Sequence, residues 1–428
     1  MADFDAIVVG SGCAGPVAAY ELAKAGKSVL VVERGTFCGA KNVSGGRLYS
    51  HALRAVFPDF QKSAPLERRI TRERITMLAP DAATTLDVTD ELMSSERYES
   101  YSVLRARFDP WLASQAEEAG AEFVNGIAVD QLLKHDGRVT GVSAGGDEMT
   151  ADVVLLCDGV NSLLVPQAVG GERLKPTQVA VGIKEVIELP EQVISDRALC
   201  ADGDGMAWLF VGDATHGHVG GGFIYTNRDT LSIGLVATIS DLFESRTPIY
   251  QMLEDFKRHP SVVPIIAGGK VVEHSGHMVA EAGYDAMPPL VADGVLLVGE
   301  SALMCTNAGY TVRGMDFAIA AGQQAGRSAA QALDAGDTSA AGLAGYRQAL
   351  EQSFVLKDLK TLRRFPHFMD STPRVFRAYP ELARDAMRSL FLVDGTPVEP
   401  VRKSMLPIVK HVGYLNLAKD LSKGVRAL

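Results

Sequence analysis

Apolar positions along the chain follow two periods that alternate. Short uninterrupted runs, each bounded by glycine or an acidic residue, mark strands buried on both faces. These are residues 5 to 9, Ser28 to Val32 ending on Glu33, Val153 to Cys157, and Val295 to Val298. Helical spacing follows several of them. Pro16 to Ala25 places Ala18, Ala19, Leu22 and Ala23 on one small apolar face and is stopped by Gly26. Asp109-Pro110 predicts the start of a helix to about Ala119, with Trp111, Leu112 and Ala116 inward and Gly120 as its stop. A short amphipathic helix is predicted at Tyr250 to Arg258, and a small-residue helix runs from near Asp316 to about Leu333.

Period-two alternation fills the intervals. It predicts strands at Ile75 to Leu78, Thr84 to Val88, Glu122 to Val124, Val129 to Lys134, Arg138 to Ala144 and Glu148 to Ala151. Asp136-Gly137 and Gly145-Gly146-Asp147 read as hairpin turns. From Val179 to Ile239 strand patterns dominate and helix signals vanish. Met206, Trp208 and Phe210 share one face there, and Phe223 and Tyr225 share a face in the next run. Two readings of those rings stand side by side: they are core, or some of them roof an apolar pocket. Beyond Gly336 the pattern is helical, broken by prolines from Pro366 to Pro407.

These alternating strands and helices predict an α/β chain with a Rossmann-like dinucleotide-binding domain, a mixed or antiparallel β-sheet substrate domain and a C-terminal helical region. A length of 428 residues fits two or three domains. The dinucleotide-binding domain is expected in three pieces, 1–60, 101–175 and 285–335. The β domain is expected at 61–100 and 176–284, and the helical region at 336–428.

The first candidate chemistry is the turn Gly10-Ser11-Gly12-Cys13-Ala14-Gly15 between the first strand and the first helix. Glycines at this spacing let the backbone turn sharply, approach a pyrophosphate and pack helix on sheet; the helix N-terminus then offers N–H groups to the phosphates. Glu33 closes the second strand 18 residues past Gly15, where a carboxylate accepts from adenosine ribose hydroxyls. A Gly-rich βαβ unit without ligand is the alternative. Matching pieces far downstream favour FAD over NAD, because the longer cofactor needs partners for its ribityl chain and ring. Expected partners are Arg34, the polar loop carrying Lys41, Asn42, Gly45 and Gly46, then Arg107, Val129, and the turn Asp158-Gly159. Gly299-Glu300 and the run Gly309-Tyr310-Thr311-Val312 complete the set. The helix that follows would point its N-terminus at the flavin pyrimidine edge and stabilise negative charge there.

Charge and cysteines narrow the setting. A net charge of -10 argues against nucleic acid as a partner. Residues 356–428 nevertheless carry 14 Lys/Arg against 7 Asp/Glu, so this segment is a candidate docking face on an acidic protein. No signal peptide or membrane span is evident, and a cytoplasmic protein is expected, one able to touch the inner face of the cell membrane. Cys13, Cys38, Cys157, Cys200 and Cys305 are too scattered for a metal or iron–sulfur set, so no metal site is expected in this chain.

Several runs make the chain resemble the FixC-type flavoproteins, relatives of electron-transfer-flavoprotein:quinone oxidoreductase in the glutathione-reductase-like FAD superfamily. They are Gly10 to Gly15, Ala40-Lys41-Asn42-Val43-Ser44-Gly45-Gly46-Arg47-Leu48-Tyr49, Gly220-Gly221-Gly222-Phe223-Ile224-Tyr225-Thr226-Asn227, and Gly309-Tyr310-Thr311-Val312-Arg313-Gly314-Met315-Asp316. The ending, Gly413 to Leu417 and Gly424 to Leu428, is similar too. The resemblance implies an FAD oxidoreductase in an electron-bifurcating complex of the FixABCX type. It implies electron-transfer flavoprotein subunits (FixA/FixB-like) as donors, a quinone as acceptor in the β domain, and a separate ferredoxin-like iron–sulfur subunit (FixX-like). It departs at Glu300, where the family usually has Asp as ribityl partner; the added methylene must re-aim that contact. Such chemistry needs no catalytic side chain beyond position and electrostatics. His51, His274 and His277 are the candidates for a quinone-side proton donor, and Arg313 and Lys41 for raising the flavin potential. The alternatives on the same fold are an isoprenoid reductase of the geranylgeranyl type and a non-enzymatic prenyl-binding escort.

Overall fold

The strand Phe4–Val9 lies in the middle of a sheet, parallel to Val29–Glu33 on one side and to Asp147–Leu156 on the other. In the computed structural model, which describes residues 2–42, 46–171 and 174–428, this sheet continues to Glu122–Asn125 at one edge. At the other it continues to Val295–Leu297 and Val291–Ala292. Ala6 to Val8, Val153 to Leu156 and Val295 to Leu297 are fully buried, which is why these strands are apolar at every position.

The helix Ala14–Lys24 packs against the long helix Met315–Asp334 on one face of this sheet. Their closeness explains the small-residue composition of the latter. A Cβ on Gly322 would lie 2.3 Å from the carbonyl oxygen of Ala14, and one on Gly326 2.5 Å from that of Ala18. A third helix, Arg105–Glu118, starts five residues earlier than the sequence pattern placed it. Asp109 does not cap it. The buried carboxylate instead accepts from Nε and Nη2 of Arg105, one turn back, at 2.6 and 2.8 Å, so Pro110 falls inside the helix. The predicted strands Glu148 to Ala151 and Val153 to Cys157 are a single strand that changes partners midway. Its first half pairs antiparallel with Arg138–Ala144 and its second half parallel with Phe4–Val9.

Among the described residues nine strands form the second sheet. Its path runs Lys270–Ala280, Val179–Glu188, Thr230–Thr238, Gly220–Thr226, Asp204–Gly212, Leu66–Ala79, Ser100–Val103 and Gly46–Tyr49, with Ala82–Thr89 paired to Leu66–Ala79. Gly46–Tyr49, which the sequence pattern grouped with the dinucleotide half, therefore forms an edge of the other sheet. A helix, Glu191–Ala198, also forms where only strands were expected. Pro190 before it, Glu191 in its first turn and Arg197 in its last are start and stop signals that eight residues of weak periodicity hid.

The alternating rings divide by face. Met206, Trp208 and Phe210 are core: Trp208 stacks on Phe210 at 4.7 Å, Phe210 meets the Phe256 ring edge-on at 4.9 Å, and Trp208 Nε1 donates to Thr76 Oγ1 at 2.7 Å. Leu209, Phe223 and Tyr225 point the other way, into the space between the two sheets.

Helices between Ala344 and Ala427 complete the chain. The last one, Tyr414–Ala427, is held by Arg374, whose Nε and Nη2 donate to the Asp420 carboxylate at 2.7 and 2.8 Å, and by Tyr379 at 2.6 Å. Leu415, Leu421 and Val425 on this helix, and Phe391, Val393 and Val398 before it, are more than two-thirds exposed. Among the described residues no helix is long and apolar enough to cross a membrane.

Candidate cofactor and substrate site

A cavity of about 480 Å³ runs between the two sheets, within the ~300–1,000 Å³ typical of ligand sites. Its first wall is the turn after the opening strand. Gly10, Ser11, Gly12, Cys13 and Ala14 all line it. Gly15 does not; it sits where helix meets strand, and a Cβ there would lie 2.0 Å from the carbonyl oxygen of Gly10. Gly12 is the reverse case, with nothing nearer to an added Cβ than Arg105 Nη2 at 3.5 Å. One glycine serves packing and the other leaves room for a ligand.

Glu33 ends its strand against this turn. Its Oε2 accepts from Ser11 N at 2.8 Å and its Oε1 from Gly35 N at 2.6 Å, which fixes the carboxylate while leaving each oxygen a further lone pair. Arg34, Lys41, Asn42, Gly46 and Val129 line the same stretch. Val43, Ser44 and Gly45 lie outside the described residues. Arg107 is not at the cavity: it is exposed and its Nη1 is 3.5 Å from Glu67 Oε1. Arg105 takes the position instead, lining the cavity and locked to Asp109. The signal for it was an Arg–Asp pair four apart at a helix start.

Further along, Asp158, Gly159 and Glu300 line the wall; Gly299 packs behind it on Ala14. Burial pushes the Asp158 carboxyl up to about 6. Glu300 Oε1 accepts from Ala280 N at 3.1 Å, and burial holds its carboxyl above the ordinary range. Gly309 and Val312 line the cavity just ahead of the helix Met315–Asp334. Tyr310 faces solvent, and the Thr311 hydroxyl is spent on the Tyr49 hydroxyl at 2.5 Å.

The far wall is the inner face of the large sheet: Leu209, Phe223, Tyr225 and Val236, with Lys184 and His277 as its basic members. Gly182 and His277 are register partners, so Lys184, two residues on, shares the His277 face. Burial above all, then Arg105, Arg34 and Lys184, lowers the His277 imidazole to about 4, so it is neutral at pH 7. His51 instead lies 3.6 Å from Asp316 and edge-on to Phe354, and His274 lies 3.5 Å from Glu185; neither lines the cavity. Arg313 is committed to Asp316 and Asp358, with its guanidinium 4.4 Å from the Phe317 ring centroid.

These groups fit an FAD. Ser11 Oγ and Asp158 Oδ1 are buried polar atoms with no hydrogen-bond partner, the condition a bound polar ligand relieves. The Gly12 side of the turn is open, and Arg34 and Arg105 give the stretch a field that favours an anion.

The sequence comparisons agree with this geometry. Residues 5–87 and 59–327 match the family described as FAD dependent oxidoreductase, and residues 365–428 match the ETF-QO/FixC family C-terminal domain. The chain is 51% identical to "Protein FixC" of Escherichia coli (strain K12), over 99% of each chain. It is 48% identical, again over 99% of each, to "Probable electron transfer flavoprotein-quinone oxidoreductase YdiS" of the same strain. Among solved structures, a geranylgeranyl bacteriochlorophyll reductase-like protein from Thermoplasma acidophilum superposes with a TM-score of 0.73 at 19% identity, covering 98% of this chain and 99% of that one. The myxobacterial halogenase CndH superposes with a TM-score of 0.63 at 20% identity, over 97% of each chain. At such identities these two establish the fold alone.

Proposed function

The chain belongs to the ETF-QO/FixC family of FAD-dependent oxidoreductases, and on that premise we propose that it takes electrons from an electron-transfer flavoprotein and passes them to a quinone. The observation that carries this reading is the continuity of one cavity. Its near end has the glycine turn and Glu33 of a dinucleotide site, and its far end has the apolar wall of Leu209, Phe223, Tyr225 and Val236 that a planar ring requires.

Bound FAD supplies two-electron and one-electron redox chemistry. The chain's own residues supply position and charge. The Gly10–Ala14 turn and the helix behind it take the pyrophosphate, Glu33 the adenosine ribose, and Asp158 and Glu300 the polar middle of the cofactor. Arg105, held by Asp109, and Arg34 place positive charge along the cavity, which favours the reduced, anionic state of whatever occupies it. Neutral His277 orients an acceptor carbonyl by donating a hydrogen bond.

The scattered cysteines leave any iron–sulfur centre to a separate ferredoxin-like subunit. The basic, partly apolar C-terminal helices are its docking face or a peripheral membrane contact. Anaerobic mixing of the FAD-loaded protein with reduced electron-transfer flavoprotein and a soluble menaquinone analogue tests the proposal. Quinol formation dependent on both proteins is expected. Reduction of a prenylated lipid instead, with no quinol, would replace it by the isoprenoid-reductase reading.

A further inference from the structure

Behind the Asn307–Val312 hairpin turn lies a second, much smaller cavity of about 30 Å³, room enough for water, which needs ~10–15 Å³. Thr177 and Asp370, both exposed, stand at its outer end; Glu281 and Asn307 line it further in, and Asn307 also lines the main cavity. Glu281 follows the edge strand Lys270–Ala280, anchored by its own N–H to the carbonyl of Gln178 at 2.9 Å. Its Oε1 accepts from Asn307 Nδ2 at 3.4 Å, and Asn307 Oδ1 in turn accepts from Gly309 N at 3.0 Å. The carboxyl is thereby wired to the backbone of the turn that borders the main cavity.

We infer that Glu281 is a proton-holding residue that binds a proton from solvent when electrons enter the main cavity and releases it when they leave. The inference rests on the reading of that cavity as the flavin site. The electrons come from the electron-transfer flavoprotein, or from a chemical reductant in vitro. The proton comes from bulk water through the Thr177–Asp370 mouth and converts the Glu281 carboxylate to the acid. Reoxidation returns electrons to the acceptor and the proton to solvent. The titratable groups facing Glu281 are Glu300 across the wall, Cys305 of the adjoining turn, and Asp370 beyond the small cavity. Glu300 and Asp370 are carboxyls and burial keeps the Cys305 thiol neutral, so none of the three is a cation and added negative charge in the main cavity is compensated most readily by a proton. Burial, with Glu300 adding to it, already pushes the Glu281 carboxyl up to about 7, where a modest change in the field shifts its occupancy. Glu281 acts through Asn307 and is a positioning residue.

Redox titration of the purified flavoprotein with dithionite, without donor protein or quinone, separates this inference from the proposed partners. The flavin potential is expected to fall with pH between about 6 and 8 more steeply in the wild type than in Glu281→Gln, with Glu281→Asp retaining part of the dependence. The reduced-minus-oxidised infrared spectrum is expected to gain a deuterium-sensitive carboxylic-acid carbonyl band near pH 7 that Glu281→Gln lacks. An equal pH dependence in the two proteins, or a band that persists in Glu281→Gln, overturns the inference. Should that variant not fold, absence of the band in the wild type overturns it equally.

Discussion

Replacing Arg105 by Met tests whether the cavity wall depends on one buried ion pair. Asp109 is fully buried and the Arg105 side chain is 18% exposed; the two share a bidentate contact at 2.6 and 2.8 Å, with Asn42 Nδ2 as a further donor to Asp109. Unit charges about 4 Å apart attract by ~4 kcal/mol at an effective dielectric of 20. Breaking one side of a buried pair costs ~3–5 kcal/mol, because the remaining charge stays buried. Arg105→Met should therefore lose ~3–5 kcal/mol of unfolding free energy at neutral pH. Arg107→Met removes a guanidinium that is itself mostly exposed, from a Glu67 carboxylate that still accepts from Arg228 N at 3.0 Å, and should lose no more than ~1 kcal/mol. Urea unfolding of flavin-free protein, followed by circular dichroism, gives both numbers without a contribution from cofactor affinity. The double variant Arg105→Met/Asp109→Leu should recover part of the loss. A deficit below ~1 kcal/mol, equal to that of Arg107→Met, would refute the idea that this pair holds the wall.

The two glycines of the opening turn should separate folding from binding. Gly15→Ala puts a methyl 2.0 Å from the Gly10 carbonyl oxygen and should cost ~3 kcal/mol or more, read as a lower melting temperature. Gly12→Ala meets nothing closer than 3.5 Å in the protein, so it should melt normally yet be purified with much less flavin, seen in the absorbance ratio. Tyr346, fully buried, donates from its hydroxyl to the Leu297 carbonyl at 3.0 Å; Tyr346→Phe should lose ~1–3 kcal/mol in the same urea assay. Arg374, with Tyr379 second, holds the Asp420 carboxyl below its usual range. Its contribution is thus complete above the unfolded value of ~3.9 and lost as pH falls through the lower folded value. Hydrogen exchange across 414–427 should accelerate in that acid window, and Arg374→Leu should accelerate it already at pH 7.

Local signals in the sequence determined a good deal. Apolar runs identified the strands around Ile7, Val31, Leu155 and Leu296, because a strand covered on both faces tolerates no polar position. Gly10 to Gly15 marked the turn, because backbone that bends sharply and packs closely excludes side chains. The small residues of Met315–Asp334 marked a close helix contact. What only the tertiary structure decided depends on which face of an element meets which neighbour. Period-two alternation at 206–210 and 223–225 could not say that Trp208 lies under a helix while Phe223 and Tyr225 face the cavity. That choice is made by the sheet's position between the two halves. Arg105 rather than Arg107 reaches the wall because a helical turn rotates one side chain about 200° from the other two residues away, and Asp109 selects the inward one. Glu281 carries no local mark at all. Its character comes from residues 19 and 26 positions along the chain, Glu300 and Asn307, and burial that brings such distant groups together is a property of the folded whole.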